Sequence, residues 1–480
     1  MNLAKFEKIS LSSETIGAIF VVIFGAIFIL ANLFSGFNIL LFLLFSLVGF
    51  FLAVLSPRSG IFAMVFLTIV FERFFTLQSV LWGRNEIKLY PIDVILLGVM
   101  VGTLFYLFKN KKNLKFNQID LLMVIFLFVV LLYFIVSLFD SEADPSLAFS
   151  SFKNYFFYGL IYFPISILFR RNEDQNRLFR SFLTGSIFII LFIFFGVFSG
   201  QGLWVEYTPL STEGVRLLAF THGFYLSLAV IGMVLFLADR GKAQKWQTFI
   251  LAIWIFGIVG SMMRHLWLGI FLAVIFAFVY AIKEKRPLIL KIMTKMFSIV
   301  FVMFVLVAFM ATIAPTSSLH RTFERSWEVV TVRVVSLLDS SGDDSFSWRE
   351  DTWQGALDVY VEHPFLGVGL GKKLAIDEGY SRGFVEVRNI HNSLLVLLTQ
   401  TGLVVFAIFF SIVISVFKKL FHTRGKWKSD SLAVLIFFFL FVSLFQPYLE
   451  TNLLAIFFWM MLGLARVQDK NICSAGQSYI

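Results

Sequence analysis

The chain has little of what a water-soluble protein needs. Of its 480 residues only 15% are charged, against 59% hydrophobic and 63 phenylalanines. No folded surface can be covered with so little polar material, which excludes a soluble globule. There is one cysteine, Cys473, so no internal disulfide framework is available. Acidic residues are outnumbered, with 30 Asp and Glu against 40 Lys and Arg. Nor is there an HExxH sequence, a set of paired cysteines or a carboxylate-rich cluster in the polar segments, so neither a metal nor a cofactor is expected.

What is present is a succession of apolar runs. Charged clusters recur about every 20 to 30 residues, a spacing that suits helices crossing a ~30 Å hydrocarbon core and is too long for barrel strands. The expected fold class is all-α: a polytopic membrane protein with about 12 to 14 transmembrane helices. Lys5 and Lys8 precede a first apolar run from Ile16 to Phe34, read as a retained span because it is long for a signal peptide and no A-x-A-like site follows.

Three segments follow from hydropathy. Residues 1–314 form an N-terminal bundle of membrane helices, 315–390 one long polar loop, and 391–480 the C-terminal membrane helices with a tail. The clusters Lys109-Lys111-Lys112-Lys115, Arg170-Arg171-Arg177-Arg180, Arg240-Lys242-Lys245, Lys283-Lys285-Arg286 and Lys418-Lys419-Arg424-Lys426-Lys428 alternate consistently when placed in the cytoplasm. The positive excess therefore orients the chain, and its separate hairpin ends do not form a nucleic-acid surface. The same alternation puts the 315–390 loop on the outer side and the C-terminal tail in the cytoplasm.

Within that loop, residues Ser318 to Leu338 and Trp348 to Val361 read as amphipathic helices, the second placing Trp353, Leu357 and Tyr360 on one face and ending at Glu362-His363-Pro364. They are expected to lie over the membrane as a lid, a role that competes with plain interfacial anchoring by aromatic residues. Gly367-Val368-Gly369-Leu370-Gly371 lacks the strand and βαβ setting of a nucleotide loop and reads as a flexible turn.

Ionisable side chains at the ends of apolar runs are costly and call for a reason, about 2.5 to 3.5 kcal/mol each at mid-membrane. Arg216, Arg264, Lys153 and His391 all map to the outer side. Guanidinium groups offer paired donors matched to phosphate oxygens, so the arginines suit an anionic diphosphate. Lys153 also fits a residue snorkelling to lipid headgroups. His391 has the character of a base at the water boundary and at the head of a helix, although a capping or interfacial histidine fits that position too. Asn392 suits an N-cap.

Together these residues resemble the bacterial O-antigen ligase and O-antigen polymerase superfamily. The resemblance rests on Trp348-Arg349, Trp353, Ala356-Leu357, the run His363-Pro364-Phe365-Leu366-Gly367-Val368-Gly369-Leu370-Gly371, His391-Asn392-Ser393 and Gly402, with Arg216 and Arg264 similar to two arginines at the outer ends of earlier spans. It departs from the pattern after Gly402, where Leu403-Val404-Val405 follows, and in the spacing Ser261-Met262-Met263-Arg264. The span count is also higher than the ligases' usual 12.

The resemblance implies a metal-independent, inverting glycosyltransferase of the bacterial inner membrane. Its donor would be a glycan on undecaprenyl diphosphate, and its acceptor a hydroxyl of lipid A-core or of a growing polysaccharide at the periplasmic face. His391 would be the general base, Arg216 and Arg264 would bind the diphosphate, and Arg349, Lys153 and Asn392 would be further substrate contacts. Membrane lipid and a polysaccharide chain-length regulator are the other expected partners. Two alternatives remain: a lipid-linked oligosaccharide flippase or other transporter, and a transferase placing glycan on a protein such as pilin. No internal repeat or recurrent broken helix supports the transporter.

Overall fold

A computed structural model describes residues 12–77, 80–82, 87–111, 116–199, 216–280, 283–313, 324, 327–328, 344–378, 381–451 and 453–468. The expected helix Ser318 to Leu338 lies, but for three residues, outside these, as do the segment Gln201 to Val215 and Cys473. Among the described residues the protein is mostly helical. Seven helices are long and apolar enough to cross a membrane, and further apolar helices such as Ile39–Leu55, Lys245–Gly260, Arg264–Tyr280 and Leu454–Arg466 are shorter.

The chain divides into two compact units. One comprises Met1–Leu114 with Phe163–Gly185. Its helices α1 (Ser13–Ser35), α2 (Ile39–Leu55), α3 (Pro57–Leu77) and α4 (Pro91–Lys109) pack through small residues, with a short antiparallel pair of strands, β1 (Val80–Trp82) and β2 (Ile87–Leu89), between α3 and α4. A Cβ at Gly98 or Gly102 would fall 2.5 or 2.6 Å from carbonyl oxygens of α2, which shows how closely the two backbones approach. Glu14 accepts from Arg58 and from Arg177, each at 3.0 Å, tying three segments of this unit together.

The second unit, Lys115–Tyr162 with Ser186–Ile480, holds every candidate site residue. In chain order its principal elements are α5 (Gln118–Ser137), α6 (Pro145–Phe152), α9 (Phe220–Arg240), α10 (Lys245–Gly260), α11 (Arg264–Tyr280), α12 (Arg286–Ile313), α13 (Asp344–Glu362), a hairpin of β3 (Lys373–Glu378) and β4 (Ser381–Glu386), α14 (Ser393–His422), α15 (Trp427–Val442) and α16 (Leu454–Arg466), while α7 (Tyr162–Leu168) and α8 (Asn172–Ser199) run through both units. Ion pairs within this unit join Lys285 with Asp239 and Asp430, Arg466 with Asp120, and Lys372 with Asp140 and Glu142.

The polar segment is more than helix. The antiparallel β3–β4 hairpin was not expected from its sequence, because Lys373–Glu378 and Ser381–Glu386 are too polar to show a buried face. Its Leu374, with Val387 and Ile390 beyond the hairpin, packs against Ala356 of α13 and Leu395 and Val396 of α14. The buried side of α13 is therefore set by Ala356, Thr352 and Trp353, while Leu357 stays exposed. The helix packs on its own hairpin through the small residue at position 356.

The glycine-rich turn after α13 is held in place. α14 breaks at Gly402, where φ is +69°, and the carbonyls this frees are taken up by other groups. Val368 N–H donates to Thr399 O and Gly369 N–H to Gln400 O, both at 2.9 Å, and Leu403 N–H donates to Pro364 O at 2.9 Å. The Tyr133 hydroxyl lies 2.7 Å from Leu366 O and 3.1 Å from Thr401 O, as a shared donor. A non-helical stretch inside a membrane helix is tolerated where protein groups replace the lost hydrogen bonds, and this turn supplies them. Its far end is anchored as well, by Asp144 N–H to Gly371 O at 2.9 Å and by Lys372 and Lys373 on Asp140, Glu142 and Asp144.

Candidate active site

His391 lies between the hairpin and α14, outside the membrane helix, with a left-handed backbone (φ +58°). L-residues avoid this region, so neighbours must hold it. Trp353 Nε1 donates to the preceding carbonyl, Ile390 O, at 2.8 Å. On the other side the Asn392 Oδ1 accepts from Leu395 N–H at 3.1 Å as the N-cap of α14, and Ser393 N–H donates to Ser443 O at 2.8 Å. The strained residue is thus fixed from both directions.

The imidazole meets the Trp348 ring edge-on at 5.2 Å between centroids. Its Nδ1 is buried and has no hydrogen-bond partner among the described residues. Burial, and then the nearby Arg349 guanidinium, lower its pKa to about 4, so the ring is neutral at physiological pH and has a lone pair to accept a proton.

Arg264 is the first residue of α11, after a turn in which Met262 also takes a left-handed backbone (φ +55°). Gly260 lets the next chain come close: Leu217 N–H donates to Gly260 O at 2.9 Å, which brings the backbone at Arg216 to the turn that leads to Arg264. His265 follows, its Nε2 2.8 Å from the Tyr448 hydroxyl. Arg349, His391, Arg216 and Arg264 all lie within electrostatic range of the His265 ring. Four of the candidate residues, widely separated in sequence, are therefore gathered at one place.

Lys153 belongs to the segment that follows directly on α6. It is buried at the start of a π-helical turn, Lys153–Phe157, with its amine 5.7 Å from the centre of the Tyr158 ring. Asn392 uses its carbonyl oxygen as a cap.

Sequence reasoning passed over a second group of residues, in the segment between α15 and α16. The Glu450 carboxyl accepts from the Ser393 hydroxyl at 2.5 Å and from the Tyr155 hydroxyl, and its main-chain carbonyl accepts from Asn154 Nδ2 at 2.7 Å. Burial pushes its pKa up to about 7 in spite of the two hydroxyl donors. A signal was available: Glu450 is a lone acid between two apolar runs, and the costs that drew attention to the arginines apply equally to it.

These features define a polytopic helical membrane protein with arginines and a buried neutral histidine gathered at one end of its helices. A family model described as O-antigen ligase matches residues 248–410, a stretch containing Arg264, Arg349 and His391 and excluding Arg216. Over those residues the chain is similar to the O-antigen ligase family. A comparison with curated proteins finds no match.

Proposed function

We propose that the protein is a glycosyltransferase of ligase or polymerase type that moves a glycan from undecaprenyl diphosphate to an acceptor hydroxyl at the periplasmic face. The observation that carries this reading is the gathering of Arg216, Arg264, Arg349 and His391 around His265. A base facing several guanidinium groups suits a reaction in which a proton leaves a nucleophile while charge develops on a departing diphosphate.

In this reading Nδ1 of His391 takes the proton of the acceptor hydroxyl as its oxygen bonds to the anomeric carbon. The bond from that carbon to the diphosphate breaks on the opposite face, its electron pair leaves with the diphosphate, and the configuration inverts. Arg216 and Arg264 hold the diphosphate and neutralise its growing charge, with Arg349 contacting the donor. Lys153 and Asn392 are candidate contacts to the sugars. The same diphosphate acts on the base, because an anion beside Arg349 offsets the field that depresses the His391 pKa. Donor binding then brings the imidazole closer to the range where a general base works well.

The test is to incubate purified protein with an undecaprenyl diphosphate-linked repeat, alone and with lipid A-core, and to separate the products on a gel. Chain lengthening without core identifies a polymerase, for which a chain-length regulator is the expected partner. Transfer only onto core identifies a ligase. Donor left intact under both conditions contradicts both activities.

A further inference from the structure

Away from the candidate site, the starts of α10 and α12 enclose a groove of about 1030 Å³. Its floor is apolar, with Phe249 and Leu290 both exposed. Three lysines line it: Lys245 at the first position of α10, and Lys291 and Lys295 one turn apart on α12. No acidic residue lines it, and none of the three lysines pairs with a carboxylate among the described residues. Trp246 stands at the same end, its indole N–H donating to Gln244 Oε1 and its ring exposed.

Like charges at i and i+4 on a helix repel, and a third ammonium on the facing helix adds to the cost. Such an arrangement is stabilised by an anion between the helices. The apolar floor requires that the anion also carry hydrocarbon. Trp246 is a residue type that collects where headgroups meet acyl chains, Lys245 belongs to a cluster that the charge alternation places in the cytoplasm, and Lys291 and Lys295 lie in the first turns of α12, after the Lys283-Lys285-Arg286 cluster placed on the same side. Basic pockets between membrane helices on that side are suited to anionic lipid headgroups.

We propose that this groove is a binding site for one anionic glycerophospholipid of the cytoplasmic leaflet. Its phosphate would sit between Lys245, Lys291 and Lys295, and an acyl chain would lie along Phe249 and Leu290. The site is independent of the glycan-transfer reading, because none of its residues belongs to the candidate active site.

The experiment is native mass spectrometry of the full-length protein released from detergent with phosphatidylglycerol or phosphatidylcholine of matched chains. The protein is expected to retain phosphatidylglycerol in preference. A Lys291→Gln/Lys295→Gln variant should lose that preference by roughly tenfold or more. Lys291→Arg/Lys295→Arg should keep it, and so should Lys109→Gln/Lys111→Gln, which removes the same charge elsewhere. Equal retention of both lipids by the unmodified protein overturns the proposal. So does an undiminished preference in the Lys291→Gln/Lys295→Gln variant, or an equal loss in the Lys109→Gln/Lys111→Gln control.

Discussion

Tyr448 and Glu450, two residues apart, hold different halves of the candidate site: the Tyr448 hydroxyl meets His265 Nε2 at 2.8 Å, and the Glu450 carboxyl accepts from Ser393 at 2.5 Å. The segment between α15 and α16 thus joins the turn that carries Arg264 to the helix head that follows His391. Neither residue need touch substrate for the site to depend on it.

The first prediction concerns the pH dependence of this link. The Glu450 pKa is raised, so the folded state holds its proton to higher pH than the unfolded chain does. Stability from this group is fully present below the ordinary glutamate pKa, about 4.3, and is lost as pH rises through about 7. Melting of the purified protein should therefore fall between about pH 5 and about pH 8, and Glu450→Gln should flatten that fall. Ser393→Ala leaves Glu450 short of a donor and should cost about 1 to 3 kcal/mol at either pH.

Gly402 gives a second prediction. A Cβ there would lie 2.2 Å from Phe365 O, and φ is +69°. Gly402→Ala should destabilise the protein by about 3 kcal/mol or more, since both the backbone and the docked turn must shift. Gly367→Ala should behave alike, with Thr399 O at 2.6 Å and φ +66°. Gly355→Ala is the contrasting case: it lies inside α13 with nothing within 4 Å, and should stabilise by up to about 1 kcal/mol. Thermal unfolding of the three variants in detergent checks the order.

A third prediction follows from the field on His391. In the free protein its imidazole should remain neutral down to about pH 4. With undecaprenyl diphosphate bound, the pKa should rise, because the added anion offsets Arg349. Nitrogen-15 NMR of labelled histidine, assigned with His391→Gln, reads both titrations. A pKa unmoved by the diphosphate would contradict the proposed coupling between donor and base.

Arg264 and Arg216 supply a fourth. If each holds a phosphate through paired donors, Arg→Lys keeps the charge and loses the fork. Transfer should then fall by about tenfold in Arg264→Lys and by about a hundredfold or more in Arg264→Ala, with the same order at Arg216. Rates measured at saturating acceptor separate the two, and equal rates for Lys and Ala variants would point away from bidentate binding.

The helices were legible because long apolar runs between charged ends leave few other structures. Arg216, Arg264 and His391 were legible for the same reason: ionisable groups stand out in an apolar chain. Three things were not. The β3–β4 hairpin has polar strands whose pairing depends on Leu374 reaching Ala356 and Val396, a contact between distant residues. The order in the 367–371 turn comes from a break in a helix some thirty positions later, which Gly402 hints at only in company with the glycines it meets. Glu450 was visible as a lone acid between apolar runs, but its role was hidden because its partners Tyr155 and Ser393 are hydroxyl residues far away in sequence.

The account turns on His391 acting as the base. The most direct measurement compares unmodified protein with His391→Ala, purified in the same detergent and matched in melting temperature, for transfer of glycan from undecaprenyl diphosphate. Loss of about a hundredfold or more with donor binding retained is the predicted result. Unchanged transfer by His391→Ala would contradict it.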